Sequence, residues 1–84
     1  CAIAQNVINL FKNHIIMLVE ELGLVIKNRR NELKITQPIL AELANISTNT
    51  LYKIERGKGN PTLEVMIKIA EVLGMELKLE INKK

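Results

Sequence analysis

The sequence predicts a small all-α fold that is followed by one C-terminal β-strand. Apolar residues recur every three or four positions over several stretches of the chain, which is the spacing of one face of an α-helix. A Ser or Thr precedes several of these stretches, as is typical of a helix N-cap. After Gly74 apolar and charged residues alternate instead, and this period of two predicts a strand.

Size and composition narrow the class of protein. The 84 residues suffice for one domain with a thin core, so a compact helical fold or a dimer that adds burial is expected. Apolar residues make up 48% of the chain, which excludes a largely disordered protein. Aromatic residues make up only 2%, which argues against single-strand binders because these stack bases on aromatic side chains. The net charge of +3 is compatible with nucleic acid but common in ordinary domains.

Few residues are available for catalysis or metal binding. Cys1 is the only cysteine and His14 the only histidine, which excludes an intramolecular disulfide and a Cys/His metal cluster. His14 has no identifiable acid or base partner. The helical carboxylates Glu42, Glu55, Glu64 and Glu71 are interpreted as solvated faces or ion pairs. We therefore expect no catalytic residue, metal, cofactor, small-molecule substrate or enzymatic activity.

Cellular location is predicted from the absence of recognisable signals. The apolar run at residues 15–19 is far too short to cross a bilayer, and no basic region precedes it as in a signal peptide. The single cysteine fits a reducing compartment. We expect a cytoplasmic protein without a membrane partner.

The first part of the chain is predicted to be an N-terminal extension, residues 1–20, followed by a helix at about residues 21–33. One apolar stripe at helical spacing runs through both segments and consists of Ile8, Phe11, Ile15, Leu18, Leu22 and Val25. The adjacent β-branched residues Ile15 and Ile16 also allow a short strand at that point.

Met17 leaves two interpretations of the extension open. In one, natural translation begins at Met17 and residues 1–16 are an upstream addition. In the other, residues 1–16 form an extra helix that packs on the domain or on a second copy of the chain.

Residues 36–57 predict two short helices joined by a tight turn. Thr36 is a natural N-cap, and Pro38 is tolerated in the first turn because amides there lack helical partners. Asn45 is placed to end the first of these helices, because asparagine adopts the left-handed conformation more readily than most residues. The residues expected to face the core are Leu40, Ala41, Leu43, Ala44 and Ile46.

Ser47 is the expected N-cap of the second of these helices. Leu51 and Ile54 lie three positions apart and are expected to face inward. The residues expected to face outward are Thr48, Asn49, Tyr52 and Lys53. Two short helices, a tight turn and a polar outer face on the second helix are the sequence form of a helix-turn-helix, which places one helix in the major groove of DNA.

Thr62 is expected to cap a further helix that ends at Gly74, with Glu64 favourably placed in its first turn. The apolar stripe of this helix is predicted to be Leu63, Met66, Ile67, Ala70 and Leu73.

Residues 75–84 are predicted to form a strand and a basic tail. The apolar face of the strand would consist of Met75, Leu77, Leu79 and Ile81. A lone strand leaves backbone groups unpaired, so its simplest partner is the same strand of a second copy. A fifth helix with a weak Leu77–Ile81 pair is the alternative.

Many residues across positions 22–74 match a known pattern. They are Arg30, Thr36-Gln37, Leu40-Ala41, Leu43-Ala44, Ser47, Leu51, Ile54-Glu55-Arg56-Gly57, Pro61, Ile69-Ala70 and Leu73-Gly74. On these residues the chain resembles the Cro/C1-type (XRE-like) helix-turn-helix family, the lambda-repressor-like domain of phage repressors and bacterial regulators. The chain departs from the family at Pro38, at Asn45, in its N-terminal extension and in lacking a clear fifth helix.

The resemblance implies a DNA-binding domain at residues 21–74 that acts as a sequence-specific transcriptional repressor on double-stranded DNA. Base contacts would come from Thr48, Asn49, Tyr52 and Lys53. DNA backbone contacts would come from Thr36, Gln37, Arg56, Lys58 and Asn60. An ion pair between Arg30 and Glu55 would position the recognition helix.

The C-terminal strand resembles that of antitoxins from bacterial type II toxin–antitoxin operons, in which one strand from each subunit forms a small intersubunit sheet. This resemblance implies a homodimer that presents two recognition helices to a palindromic operator. The alternative function is that of an antitoxin whose main role is to bind and neutralise a partner toxin while it regulates its own operon.

Overall fold

The computed structural model describes residues 18–78, which contain four α-helices and no strand. Helix α1 covers residues 18–32 of this range. Helices α2, α3 and α4 are Gln37–Leu43, Thr48–Glu55 and Leu63–Leu73. The predicted all-α domain is therefore confirmed, and α1 includes residues 18–20 of the extension, where the apolar residues follow helical spacing. The predictions for residues 1–17 and 79–84 lie outside the described residues.

Each of the three predicted N-caps is confirmed. The hydroxyl oxygens of Thr36, Ser47 and Thr62 accept hydrogen bonds from the backbone N–H three residues on, at N···O distances of 3.3, 3.0 and 3.2 Å. Each cap satisfies an amide that has no partner inside its own helix. Local chemistry thus explains where these helices start.

The helices within residues 18–78 also end in one common way. A residue with positive φ follows each of them, and the next amide donates to the carbonyl five residues back. The four left-handed residues are Lys34, Asn45, Gly57 and Gly74, with φ of 57°, 56°, 72° and 70°. The predicted helix ends at Asn45 and Gly74 are confirmed, and the turn between α2 and α3 is the Asn45 left-handed turn.

One core holds the helices together. Its fully buried side chains are Leu40, Leu51, Ile69 and Leu73, joined by Ile26, Ala41, Ala44, Ile54 and Met66. Helix α2 packs against both α3 and α4. The inward orientation predicted for Leu51 and Ile54 is confirmed, and Ile46 packs against the core from the turn.

Three apolar residues predicted to face the core do not. Leu43 is 63% exposed, and Leu63 and Ile67 are 70% and 42% exposed. At about 100° of rotation per residue, the buried Leu40, Ala41 and Ala44 span about 100° of α2, and Leu43 lies about 60° beyond Leu40, outside that arc. Helix α4 is apolar on most sides, so its periodicity alone could not show that Ile69, rather than Ile67, packs inward.

Gly23 brings α1 unusually close to the end of α3. A Cβ atom at this position would overlap the carbonyl oxygen of Ile54 and would lie 3.0 Å from that of Glu55. Next to this contact, a Cβ at Gly57 would lie 2.8 Å from the Glu20 Cγ. Gly23 is therefore the residue that lets α1 lie against the backbone of α3.

We expect Gly23→Ala to lower the free energy of unfolding by about 1–3 kcal/mol, because overpacking against backbone outweighs the better helix propensity of alanine. Chemical denaturation measures this change. The matched control is Asn28→Ala on the exposed side of the same helix, which should be neutral or slightly stabilising. A more stable Gly23→Ala variant would contradict the close packing of α1 on α3.

We expect Lys34→Gly to raise the free energy of unfolding by roughly 0.5–1 kcal/mol. A residue with a side chain costs about 1–2 kcal/mol in the left-handed conformation, and the greater unfolded-state entropy of glycine offsets only part of this gain. The same substitution at exposed Lys27, inside α1, should destabilise by about 1 kcal/mol. Equal signs for the two variants in denaturation experiments would refute the interpretation.

Candidate DNA-binding interface

Helix α3 has one buried face and one exposed face. Leu51, Ile54 and Glu55 are buried. The four exposed residues predicted to contact bases are Thr48, Asn49, Tyr52 and Lys53. With about 100° per residue these four span roughly 140° of the helix, so the structure places them on one surface.

The charge on this surface has a single sign. Between residues 48 and 58 the only carboxylate is Glu55, and its side chain is 2% exposed. The cations of this segment, Lys53, Arg56 and Lys58, are all exposed. Burial of the one acidic group thus leaves a helix surface that is polar and positively charged, as phosphate-rich partners require.

Glu55 is held by two side chains from different elements. The guanidinium of Arg30, in α1, donates to both carboxylate oxygens of Glu55, with Nε–Oε2 2.8 Å and Nη2–Oε1 3.0 Å. Gln37, at the start of α2, donates its Nε2–H to Oε1 at 3.1 Å. The Arg30 Nη1 also donates to the backbone oxygen of Ile35 at 2.9 Å. This network joins α1, α2 and α3 at the C-terminal end of α3.

The network is largely shielded from water. The Arg30 side chain is 11% exposed, and no buried side-chain polar atom of residues 18–78 is without a hydrogen-bond partner. The hydrogen bonds to Glu55 raise the pKa of Arg30 above its ordinary value; burial acts in the opposite direction, and the negative charge of Glu55 adds to the increase. The Arg30 guanidinium therefore stays charged throughout the physiological pH range.

Thr36 and Gln37 stand at the start of α2, but the structure limits how they can meet a phosphate. The Thr36 hydroxyl accepts from the Ile39 amide, and Pro38 has no N–H to offer. The side-chain amide of Gln37 is directed to Glu55. The backbone N–H of Gln37 is therefore the first-turn backbone donor that remains for an anion at this helix end, beside the Thr36 O–H and the second N–H of the Gln37 side chain.

The structure also joins two residues to which the sequence assigned separate roles. The Arg56 guanidinium carbon lies 5.2 Å from the centroid of the Tyr52 ring. Arg56 Nη1 donates a hydrogen bond to the Tyr52 hydroxyl. Their spacing of four residues on a helix was the available signal for this contact. Lys58 and Asn60 follow in the exposed loop beyond Gly57.

The predicted dimer strand is only partly described. Met75 and Leu77 lie in a segment, residues 75–78, that is neither helix nor strand, and Leu79 and Ile81 lie outside the described residues. Met75 and Leu77 line an apolar groove together with Leu18, Leu63 and Ile67. The apolar residues found exposed on α4 therefore belong to one continuous surface.

Two other classes of site were sought in the described part of the chain. No group of three or more His, Cys, Asp or Glu side chains there is arranged to hold a metal ion. No helix in that part is long and apolar enough to cross a membrane.

Comparison with known proteins supports this geometry. Residues 26–79 match the family described as Helix-turn-helix. A Methanococcus maripaludis protein (strain C5) named as an HTH-type transcriptional regulatory protein is 43% identical over 60 residues, which are 71% of this chain and 18% of the relative. The immunity repressor protein of Bacillus phage phi105 is 44% identical over 55 residues, 66% of this chain and 38% of the repressor.

A plant protein is similar as well. Multiprotein-bridging factor 1c of Arabidopsis thaliana is 36% identical over 63 residues, which are 75% of this chain and 43% of that protein. The chain thus spans less than half the length of each of these relatives. The similarity covers the helix-turn-helix unit and leaves the remaining parts of the larger proteins unmatched.

We expect Arg30→Ala to lower the free energy of unfolding by roughly 3–5 kcal/mol, because it leaves the buried Glu55 carboxylate without its charged partner. Denaturation of the exposed-site control Lys27→Ala should show a change within about 0.5 kcal/mol. The double variant Arg30→Met/Glu55→Leu should recover part of the loss, since no buried charge is left unpaired. A negligible effect of Arg30→Ala would refute the structural role of the pair.

Proposed function

The chain belongs to the Helix-turn-helix family, of the Cro/C1 type, and on this basis we propose that it is a sequence-specific regulator of transcription that binds double-stranded DNA, acts as a repressor and is not an enzyme. The observation that carries the proposal is the exposed face of α3. This face is polar and positive because the only carboxylate of the helix is buried against Arg30.

Three residues on this face have side chains suited to reading bases. Asn49 can bond an adenine through the oxygen and the NH2 group of its side-chain amide, and Lys53 can reach the O6 and N7 of a guanine. Thr48 can donate to a base edge or contact a thymine methyl group. The major groove displays a different donor and acceptor pattern for each base pair, so these contacts would supply sequence preference.

The residues around α3 are suited to the sugar-phosphate backbone. At the C-terminal end of the helix the exposed groups are Arg56, Lys58 and Asn60, and at the start of α2 the candidates are the exposed Thr36 and the half-buried Gln37. Such contacts set the register of the protein on the duplex without reading sequence. At the start of α2, the backbone N–H of Gln37 and the positive end of the helix dipole would bind a DNA phosphate.

The proposed regulator acts as a homodimer on a palindromic operator. Two copies would present their α3 helices to half-sites about 34 Å apart, which is one turn of DNA. The apolar groove supports a second copy, because it gathers exposed Leu18, Leu63, Ile67 and Leu77, and soluble proteins rarely leave such patches open. The strand predicted at residues 75–81 would add backbone pairing between the copies.

The cytoplasm is the proposed location. The alternative function of an antitoxin, whose main role is to neutralise a partner toxin, stays a prediction from the C-terminal segment. Isolation of the protein from its native source with a stoichiometric toxin-like partner would favour it. Isolation as a homodimer bound to its operator would favour the regulator.

We expect selection from random DNA to enrich a palindromic site that binds two copies of the chain. On this site Lys53→Ala should weaken binding by roughly 1–3 kcal/mol and relax the preference at one base pair of each half-site. Lys27→Ala, which removes an exposed cation from α1 instead, is the matched control and should leave base preference unchanged. Fluorescence anisotropy at several salt concentrations measures these changes.

The proposal would be overturned by either of two results. One is the absence of any enriched sequence. The other is a Lys53→Ala variant that binds the enriched site with the affinity and preference of the unaltered protein. Stoichiometry on the enriched site, measured by sedimentation, tests the dimer independently of Lys53.

A further inference from the structure

We propose that Tyr52 acts as a positioning residue for Arg56, and that it contributes to DNA binding through this arginine rather than by reading a base. The proposal rests on the DNA-binding function proposed above. It changes the role of Tyr52, which family resemblance places among the base-contacting residues. It also makes Arg56 a preorganised phosphate-binding group at the end of α3.

Two different contacts fix the Arg56 guanidinium on Tyr52. The guanidinium carbon lies 5.2 Å from the ring centroid, within the range of a cation–π interaction. Arg56 Nη1 donates to the phenol oxygen of the same residue. The hydrogen bond fixes one guanidinium nitrogen on the phenol oxygen, and the contact with the ring limits where the rest of the group lies, so together they restrict its position.

The backbone beneath Arg56 is held as well. Arg56 is the C-cap of α3, and its N–H donates to Tyr52 O at 3.2 Å. The Lys58 amide closes the helix end on Lys53 O at 2.8 Å. Gly57 lies directly against Glu20 of α1. The Arg56 side chain thus starts from a fixed backbone and is held by its contacts with Tyr52. Less rotamer entropy is therefore lost when Arg56 binds a ligand.

Arg56 differs from the arginines of α1 in its partners. Arg29 pairs with Glu32, and Arg30 pairs with Glu55. No carboxylate of residues 18–78 forms an ion pair with Arg56. Its partner is a neutral phenol, so the positive charge remains available to an anion. A guanidinium has five N–H donors, and one donated to Tyr52 leaves the others for phosphate oxygens.

The same contacts make Tyr52 a poor base reader. A phenol oxygen has two acceptor positions, and Arg56 occupies one of them. The guanidinium carbon lies 5.2 Å from the ring centroid on the hydroxyl side, so a base would meet Arg56 next to the phenol oxygen. Tyr52 is 45% exposed. Support of Arg56 explains this surface position as well as a direct contact with DNA would.

A thermodynamic cycle on the enriched operator tests the proposal with Tyr52→Phe, Arg56→Ala and the double variant. Tyr52→Phe keeps the ring and removes the hydroxyl, and it should weaken binding by about two- to tenfold, the worth of one hydrogen bond. In the Arg56→Ala background the same change should have no effect, because Tyr52 then has nothing to position. Arg56→Ala should reduce the salt slope of log K by about 0.9.

Base preference separates positioning from reading. Tyr52→Phe should keep the preference of the unaltered protein at every base pair, whereas Lys53→Ala should relax one position. A preference changed by Tyr52→Phe, or additive losses for Tyr52→Phe and Arg56→Ala, would overturn the proposal and assign Tyr52 to direct DNA contact. If the unaltered protein enriches no sequence, the proposed function fails, and this outcome differs from additive losses on a working operator.

A measurement without DNA tests the contact itself. The chain has one other benzene ring, that of Phe11, so loss of the ring-current shift in Tyr52→Leu is what assigns a shift of the Arg56 side-chain protons to Tyr52. NMR should show upfield-shifted Arg56 protons that persist in Tyr52→Phe and return to ordinary values in Tyr52→Leu. Unshifted protons in the unaltered protein would overturn the proposal whether or not the protein binds DNA.

Discussion

The buried carboxylate of Glu55 is the constraint on which the rest of this structure depends. It lies at the end of α3, and it receives hydrogen bonds from Arg30 of α1 and Gln37 of α2. A charged group in this position is tolerable only because its oxygens are paired, since an isolated buried carboxylate would be strongly unfavourable. Three helices must therefore keep their relative positions for the carboxylate to stay satisfied.

The same arrangement explains how the exposed surface of α3 is produced. The network withdraws the only negative charge of residues 48–58 into the interior, so only cations and neutral polar groups remain outside. Gly23 allows α1 to reach the backbone at this end of the helix, and Ser47 fixes the other end. The proposed recognition surface is thus held at both ends, by close backbone packing at one end and by the exposed Ser47 cap at the other.

Rigidity at the C-terminal end of α3 extends to its surface side chains. Tyr52 and Arg56 are joined on the exposed side, while Glu55 between them is joined to Arg30 on the buried side. Neighbouring residues therefore make contacts on the exposed side and on the buried side of one helix end. In the proposed function, the joined helix end would fix the distance between the base-facing residues and the phosphate contacts. The apolar groove would fix the distance between two copies of the chain.

The sequence by itself determined where α2, α3 and α4 start and where α2 and α4 end. Caps at Thr36, Ser47 and Thr62 and the left-handed turn at Asn45 depend on residues a few positions apart, so local chemistry predicts them. It also placed Thr48, Asn49, Tyr52 and Lys53 on one side of α3, because Leu51 and Ile54 mark the other. Their contacts with DNA remain proposals.

Only the tertiary structure decided which apolar faces are buried and which polar groups meet. Leu43, Leu63 and Ile67 match a buried pattern, yet the helices that pack against α2 and α4 cover other faces. The close approach that Gly23 allows and the hydrogen bond from Gln37 to Glu55 likewise join segments far apart in the chain. Helix periodicity fixes the angle between side chains on one helix, whereas burial depends on the position of a second helix, which no local pattern contains.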